Sequence, residues 1–174
     1  MNAPIATPTP LNAHALNPAA YVVLDIETGD APQAAIDAAS MAWKPPANWK
    51  PETVESKRAE HAEKVAAKAA LLDASPILCL ALKTDGMAVV LNGMDASAPE
   101  VPGWLVLPCC DEAGLLRALG AILDAATEPG TEIVGHNIFG FDLPKIRNAY
   151  IRHRLPLPLV LAPHEGSPVF DSMK

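Results

Sequence analysis

Two carboxylates stand at the end of an apolar run near the start of the chain, in YVVLDIETGD at residues 21 to 30. Because side chains alternate across a strand, Asp25 and Glu27 are expected on the same face. Carboxylates at such close range repel each other, and a divalent cation removes that penalty, with oxygen ligands favouring Mg²⁺ or Mn²⁺ over zinc. A solvated strand end followed by a turn at Thr28 and Gly29 explains the same residues without chemistry. This fragment alone leaves both interpretations open.

A third carboxylate follows a second strand end, in TEIVGHNIFGFDLPKIRNAY at residues 131 to 150. Functional groups of α/β sheets gather where strands end, so Asp142 is expected to join Asp25 and Glu27 in one pocket. Three carboxylates suit hydrolysis of phosphodiesters with two metal ions roughly 4 Å apart. A phosphatase of the haloacid dehalogenase type also begins with a strand and an aspartate. It requires aspartate two residues later, where this chain has Glu27.

The composition limits the class of protein. The chain has 174 residues, half of them hydrophobic, which is enough for one domain with a core. Its net charge of −7 gives no global attraction for a polyanion, although a local basic strip or bound metal ions would suffice. The 3 cysteines form no zinc pattern and suit a reducing compartment. With no signal peptide and no apolar run long enough to span a bilayer, we expect a soluble, cytoplasmic protein.

The elements that must position these carboxylates can be read from periodicity and turn signals. A buried strand, covered on both faces, is expected at residues 20–26, and an irregular segment at 31–51. The order then continues with a helix at 51–72, two strands joined at Asp85-Gly86, a short strand at 103–108, a helix at 111–126, a strand at 131–137, a helix at 141–155 and an incipient strand at 169–174. This order predicts a mixed α/β sheet with helices on its faces.

Two segments carry a family resemblance. LDIETG and VGHNIFGFDLPKIRNAY resemble the first two motifs of the DEDD superfamily of 3′–5′ exonucleases, and the second is most similar to proofreading domains of family B DNA polymerases and to stand-alone phage-type exonucleases. The region from WKPPANWKPE to PILCLAL resembles the insertion of the stand-alone type, and VFDSMK resembles the segment after the second motif. The resemblance implies an RNase H-like mixed β-sheet flanked by helices at residues 20–174, with an insertion at about 31–75. The Pro/Ala-rich composition of residues 1–19 predicts a disordered tail before it.

The same resemblance implies roles for the carboxylates and their neighbours. Asp25 would bridge two Mg²⁺ or Mn²⁺ ions, Glu27 would bind the ion on the nucleophile side, and Asp142 would bind the other, directly or through water. The terminal nucleotide would lie against four further residues, Ile26, Thr28, Asn137 and Phe141. Asn137 is equally explained as a turn former, and Phe141 as a base-stacking wedge or as core. Phe139 is expected in the core, and His136 beside the motif as a structural neighbour.

The helix after Asp142 is rich in cations. Lys145 and Arg147, with Arg152 and Arg154 near its end, could contact phosphates and hold DNA on an acidic protein. A solvated basic helix face explains them equally well. The Trp- and Pro-rich insertion also stays open, as a cap on the fold, a DNA-binding surface or a partner-binding surface.

The family pattern requires a fourth carboxylate and a general base on a C-terminal helix. The sequence ends at Lys174 before such a helix, and Asp171 matches the segment that precedes it. We therefore expect a C-terminally incomplete domain with weak metal binding and little or no exonuclease activity. The implied partners are single-stranded DNA or DNA 3′ ends, together with replication or recombination proteins, and no membrane. The alternative is a non-catalytic RNase H-like module that binds DNA or a protein.

Overall fold

A computed structural model describes residues 20–94, 100–162 and 168–173, so the tail predicted at residues 1–19 lies outside the described residues. The described strands are β1 (Tyr21–Thr28), β2 (Ile77–Lys83), β3 (Ala88–Asn92), β4 (Leu105–Pro108), β5 (Glu132–Gly135) and β6 (Val169–Asp171), and the helices are α1 (Gln33–Met41), α2 (Pro51–Ala66), α3 (Glu112–Ala126) and α4 (Asp142–Arg152). The strands form one sheet in the order β4-β3-β2-β1-β5-β6, in which β2 runs antiparallel to its neighbours and the other pairs are parallel. The predicted mixed α/β sheet is confirmed.

Strand β1 is central in this sheet but covered on one face. Val22, Leu24 and Ile26 are at most 5% exposed, whereas Val23 on the other face is 37% exposed. The expectation of a strand covered on both faces is therefore wrong for the described residues. Side chains of the apolar run YVVL alternate between a buried and an exposed face of β1. Val23 is apolar but exposed, so the sequence reads as continuously apolar although only alternate residues belong to the core.

The covered face packs against α3 and α4. Helix α3 contributes residues at i, i+3 and i+4 spacing that are buried to 3% exposure or less, among them Leu115, Leu119 and Ile122. Its N-cap is Asp111, whose carboxylate accepts a 2.6 Å hydrogen bond from the Gly114 N–H. The hairpin predicted at Asp85-Gly86 is confirmed by the pairing of β2 with β3. Among the described helices, none is long and apolar enough to cross a bilayer.

The segment between β1 and β2 differs most from expectation. Helix α1 occupies a region predicted to be irregular, and α2 ends at Ala66 before a 3-10 turn at Ala69–Leu71. Alanines at half of the positions around α1 favour a helix, although the prolines and tryptophans that follow dominated the sequence interpretation. Neither α1 nor α2 contains a buried residue. The pair is therefore a superficial helical hairpin beside the sheet.

One carboxylate joins the start of β2, the start of α3 and the end of α4. Glu112 accepts hydrogen bonds from the Ile77 N–H at 2.8 Å and from Arg152 at 2.7 Å, and its second oxygen lies 2.7 Å from His153 Nε2. Burial alone would raise the pKa of Glu112, but these hydrogen bonds outweigh it and the pKa is lowered. The ionised carboxylate therefore stabilises the fold.

Replacing Glu112 by Gln should lower the free energy of unfolding at neutral pH by about 2 kcal/mol, because buried hydrogen bonds to a charged group are lost. The folded pKa lies below the ordinary 4.5, so this stabilisation is present above about pH 4.5 and is lost as the pH falls through the folded pKa. Urea denaturation at several pH values measures the difference. Glu63→Gln, an exposed change on α2, is the matched control and should have little effect. A difference between wild type and Glu112→Gln that persists unchanged at about pH 3 would contradict the role of the charge.

Candidate functional site

The carboxyl end of β1 carries two of the predicted site residues, Asp25 and Glu27. Asp25 lies opposite Ala81 of β2 and Glu27 opposite Cys79, and both carboxylates are on the exposed face. On its other edge β1 pairs with β5 only as far as Val23. Beyond that point the backbone of β1 is open on the β5 side, so a side chain can approach it.

Asp142 fills this opening from the first turn of α4. Its Oδ1 accepts a hydrogen bond from the Ile26 N–H at 3.2 Å, and the residue is only 3% exposed. Burial, followed by the negative charges of Asp25 and Asp171, raises the pKa of Asp142 to about 6, against the opposing effect of backbone N–H groups. The charge of Asp25 thus acts on Asp142. That Asp142 shares one metal site with Asp25 and Glu27 stays a prediction.

Asp171 is the carboxylate that sequence reasoning set aside. It ends β6 opposite Gly135, is 6% exposed, and accepts hydrogen bonds from the Phe139 N–H at 3.3 Å and the Met173 N–H at 3.0 Å. Its charge reaches Asp142. The rule that located Asp142 would also have located Asp171, because VFD is a strand that ends in a carboxylate at the same edge of the sheet.

The carboxylates do not form a metal-binding cage within the part of the chain that the structure describes. No group of three or more His, Cys, Asp and Glu side chains there is arranged to hold a metal ion. Asp25 and Glu27 point to solvent from one face of β1, whereas Asp142 is held against the Ile26 N–H at the strand edge. The oxygen ligands suit Mg²⁺ or Mn²⁺ in kind, but their spacing does not close around an ion.

Two residues expected at the terminal nucleotide have other contacts. Ile26 is 5% exposed and belongs to the core, because the alternation that turns Asp25 outward turns Ile26 inward. Only its N–H reaches the site. Thr28 is half-buried, and its Oγ1 donates to the Ala70 carbonyl at 3.1 Å. The prediction that the Ile26 side chain lines the pocket is therefore corrected.

The two cations predicted to contact phosphates are bound to backbone carbonyls. Lys145 is 5% exposed and its Nζ donates to the carbonyl of Ala70 at 3.2 Å and to that of Leu72. Burial lowers the pKa of Lys145. Arg147 Nε donates to the Leu161 carbonyl at 2.6 Å. Both side chains tie loops to α4, which corrects their assignment as phosphate ligands in this conformation.

The loop before α4 is a tight turn. Asn137 has a φ of 54°, a left-handed conformation that asparagine tolerates, and its carbonyl accepts hydrogen bonds from the Gly140 and Phe141 N–H groups at 2.9 Å. This matches the interpretation of Asn137 as a turn former. Its contact with a nucleotide stays a prediction.

One of the two aromatic residues of this turn differs from expectation. Phe139 is 44% exposed, so the expectation of core is wrong, whereas Phe141 is half-buried against the core with Lys145 Nζ 5.7 Å from its ring centre. His136 is exposed, with Nδ1 2.9 Å from Ser172 Oγ. Phe139 is therefore the ring that the turn presents to solvent beside Asp171.

Comparison with known proteins adds no relative. No protein-family model matches the chain, and a search of curated proteins finds no match. The candidate site therefore depends on its residues and their geometry.

Replacing Asp142 by Asn should stabilise the metal-free protein at about pH 7.5 by roughly 2 kcal/mol. The folded pKa of about 6 exceeds the ordinary 3.8, so the wild-type protein loses stability as the pH rises from about 4 to 6. Asparagine cannot ionise, yet it keeps an oxygen for the Ile26 N–H. Urea denaturation in EDTA should show the difference growing across that interval.

The matched control for this experiment is Asp124→Asn, an exposed change on α3. It should leave the pH dependence of unfolding unchanged. A difference between wild type and Asp142→Asn that is the same at all pH values would show that Asp142 does not titrate with a raised pKa.

Proposed function

We propose that this chain carries the carboxylate site of a metal-dependent 3′–5′ exonuclease that hydrolyses phosphodiester bonds at DNA 3′ ends. The observation that carries the proposal is the burial of Asp142 against the β1 backbone, beside the charges of Asp25 and Asp171. A buried carboxylate with like charges around it costs stability. Such an arrangement is typical of functional sites rather than of structural ones.

The motifs support the choice of reaction. LDIETG supplies Asp25 and Glu27 on an exposed strand face, and VGHNIFGFD supplies Asp142 at the adjacent edge. This pattern is similar to that of the DEDD exonucleases, and a mixed sheet is compatible with their RNase H-like fold. Bound Mg²⁺ or Mn²⁺ ions would neutralise the carboxylates and lower the pKa of an attacking water.

The chain's own residues have separate tasks in this proposal. Asp25 and Glu27 present negative charge to solvent, where they would bind the cations that accompany the phosphate. Asp142 supplies charge from the strand edge and is fixed there by the Ile26 N–H. The exposed ring of Phe139 replaces Phe141 as the group able to stack on the terminal base.

A second candidate is a non-catalytic RNase H-like module that binds DNA or a protein. The observation that favours it is the lack of a ready metal-binding group among residues 20–94, 100–162 and 168–173. On the same observation, we propose that the catalytic form binds metal weakly and acts slowly.

The test is the degradation of 5′-labelled single-stranded DNA by excess protein with Mn²⁺, with Mg²⁺ or with EDTA. Slow, stepwise shortening from the 3′ end is expected with either ion and none with EDTA. Asp25→Ala should reduce the rate at least about 100-fold and keep DNA binding, because it removes charge at the site but no part of the core. Asp30→Ala, an exposed aspartate five residues further along, is the matched control and should cut at the wild-type rate.

The outcomes separate the two candidates. Metal-dependent shortening that survives in Asp25→Ala would exclude this carboxylate site. DNA binding without shortening under any ion would support the non-catalytic module and overturn the exonuclease proposal for these 174 residues.

A further inference from the structure

The helical hairpin of α1 and α2 is joined by a cluster of three aromatic rings. Trp43 stacks on His61 with ring centres 5.8 Å apart and planes 24° apart, and Trp49 lies 6.2 Å from Trp43 at 53°. Trp49 remains 37% exposed. Because neither helix contains a buried residue, this cluster joins the two helices while part of Trp49 stays in contact with solvent.

The segment at residues 44–68, which contains α2 and the loop before it, has more cations than carboxylates in an acidic chain. Residues 44–68 contain six of the chain's 13 Lys and Arg residues but only four of its 20 Asp and Glu residues. Lys44 directly follows Trp43 and Lys50 directly follows Trp49, and both lysines are exposed. Neither forms an ion pair within the described part of the chain. A polyanion is therefore attracted to this segment and repelled by most of the remaining surface.

A shallow cavity of about 320 Å³ lies along α2 and the turn after it. No carboxylate lines it, and its lining is formed by His61, Lys64, Val65, Lys68, Leu71 and Leu72. Lys64 is paired with Glu60 at 2.6 Å, whereas Lys68 has no ion-pair partner among the described residues. The residues that line the cavity are therefore partly apolar and partly cationic.

The far end of this cavity adjoins the candidate site. The turn that contributes Leu71 and Leu72 is held to β1 by the Thr28 Oγ1 hydrogen bond to the Ala70 carbonyl, at 3.1 Å. Lys145 holds the same turn to α4. A chain lying in the cavity therefore approaches the end of β1 that carries Asp25 and Glu27.

We propose that the Trp43–Trp49–His61 cluster and this cavity bind single-stranded DNA that leads to the carboxylates, an inference that rests on the proposed function. Trp49 stacks on a base, Lys44, Lys50 and Lys68 contact phosphates, and His61 holds the Trp43 ring in place. Alternating aromatic and cationic groups match the alternation of bases and phosphates along an unpaired strand. Lys145 and Arg147 are bound to backbone carbonyls, whereas Lys44 and Lys50 form no ion pair among the described residues.

Intrinsic tryptophan fluorescence tests this proposal, because the third tryptophan, Trp104, lies outside the aromatic cluster and directly before the edge strand β4. The Trp104→Phe variant should be quenched by a 12-residue oligodeoxythymidine in EDTA. The double variant Trp43→Phe and Trp49→Phe, which retains Trp104, should not. EDTA prevents metal-dependent cleavage, so the result is independent of hydrolysis.

Affinity in EDTA gives the second readout. Trp49→Ala should raise the Kd for the oligonucleotide at least about fivefold through loss of stacking. Lys44→Ala with Lys50→Ala should raise the Kd and reduce the slope of log K against log salt by roughly 1.4, since two phosphate contacts are lost. This double variant does not touch the aromatic cluster, so it tests binding even where Trp49→Ala weakens the fold. Arg117→Ala, an exposed cation on α3, is the matched control and should bind like wild type.

Equal quenching of Trp104, or unchanged Kd in the lysine double variant, would overturn the proposal. Equal affinity for oligouridine would overturn the assignment to DNA. Tryptophan emission that changes with protein concentration alone, together with dimers in sedimentation, would identify a second copy of the chain as the occupant instead. Binding that follows these expectations without any cleavage would support this surface and refute only the exonuclease proposal.

Discussion

The hydrogen bond from the Ile26 N–H to Asp142 is the interaction on which the site depends. It is available only because β5 stops pairing with β1 at Val23, which leaves a backbone donor without a strand partner. A buried donor of this kind must be satisfied, and Asp142 satisfies it from the start of α4. The same contact holds α4 against β1 and places the Asp142 carboxylate near other carboxylates. One hydrogen bond therefore both stabilises the packing of α4 and brings negative charges together.

This linkage produces two opposite effects of pH. Glu112 has a lowered pKa and stabilises the fold as an anion, whereas Asp142 has a raised pKa and destabilises it as an anion. The difference lies in the partners, since Glu112 meets Arg152 and N–H groups and Asp142 meets Asp25 and Asp171. Only the second carboxylate gains from an added cation. One carboxylate thus stabilises the fold when ionised, and the other destabilises it when ionised.

Much of the arrangement followed from the sequence. Period-two alternation placed Asp25 and Glu27 on one face of β1, and the strand-end rule placed Asp142 where the charge of Asp25 acts on it. Contacts between residues far apart in the sequence could not be predicted from residue type. The charge of Lys145 suggested a phosphate ligand, but its ammonium group binds carbonyls more than seventy residues away. The prediction that Phe139 lies in the core was wrong for a related reason. The tight turn at Asn137 decides which of the two neighbouring rings faces the core.

Binding divalent cations and binding a nucleic acid require opposite charges, which one site cannot supply. A cluster of carboxylates that could attract divalent cations also repels the phosphates of a nucleic acid. In an acidic chain, attraction for the strand must come from a different surface, close enough to deliver the strand to the carboxylates yet remote enough not to neutralise them. The α1–α2 hairpin has this position, because its following turn is bound to β1 through Thr28 while its aromatic and cationic groups lie outside the core. The proposed contact with a nucleic-acid strand gives a role to two helices that contain no buried residue.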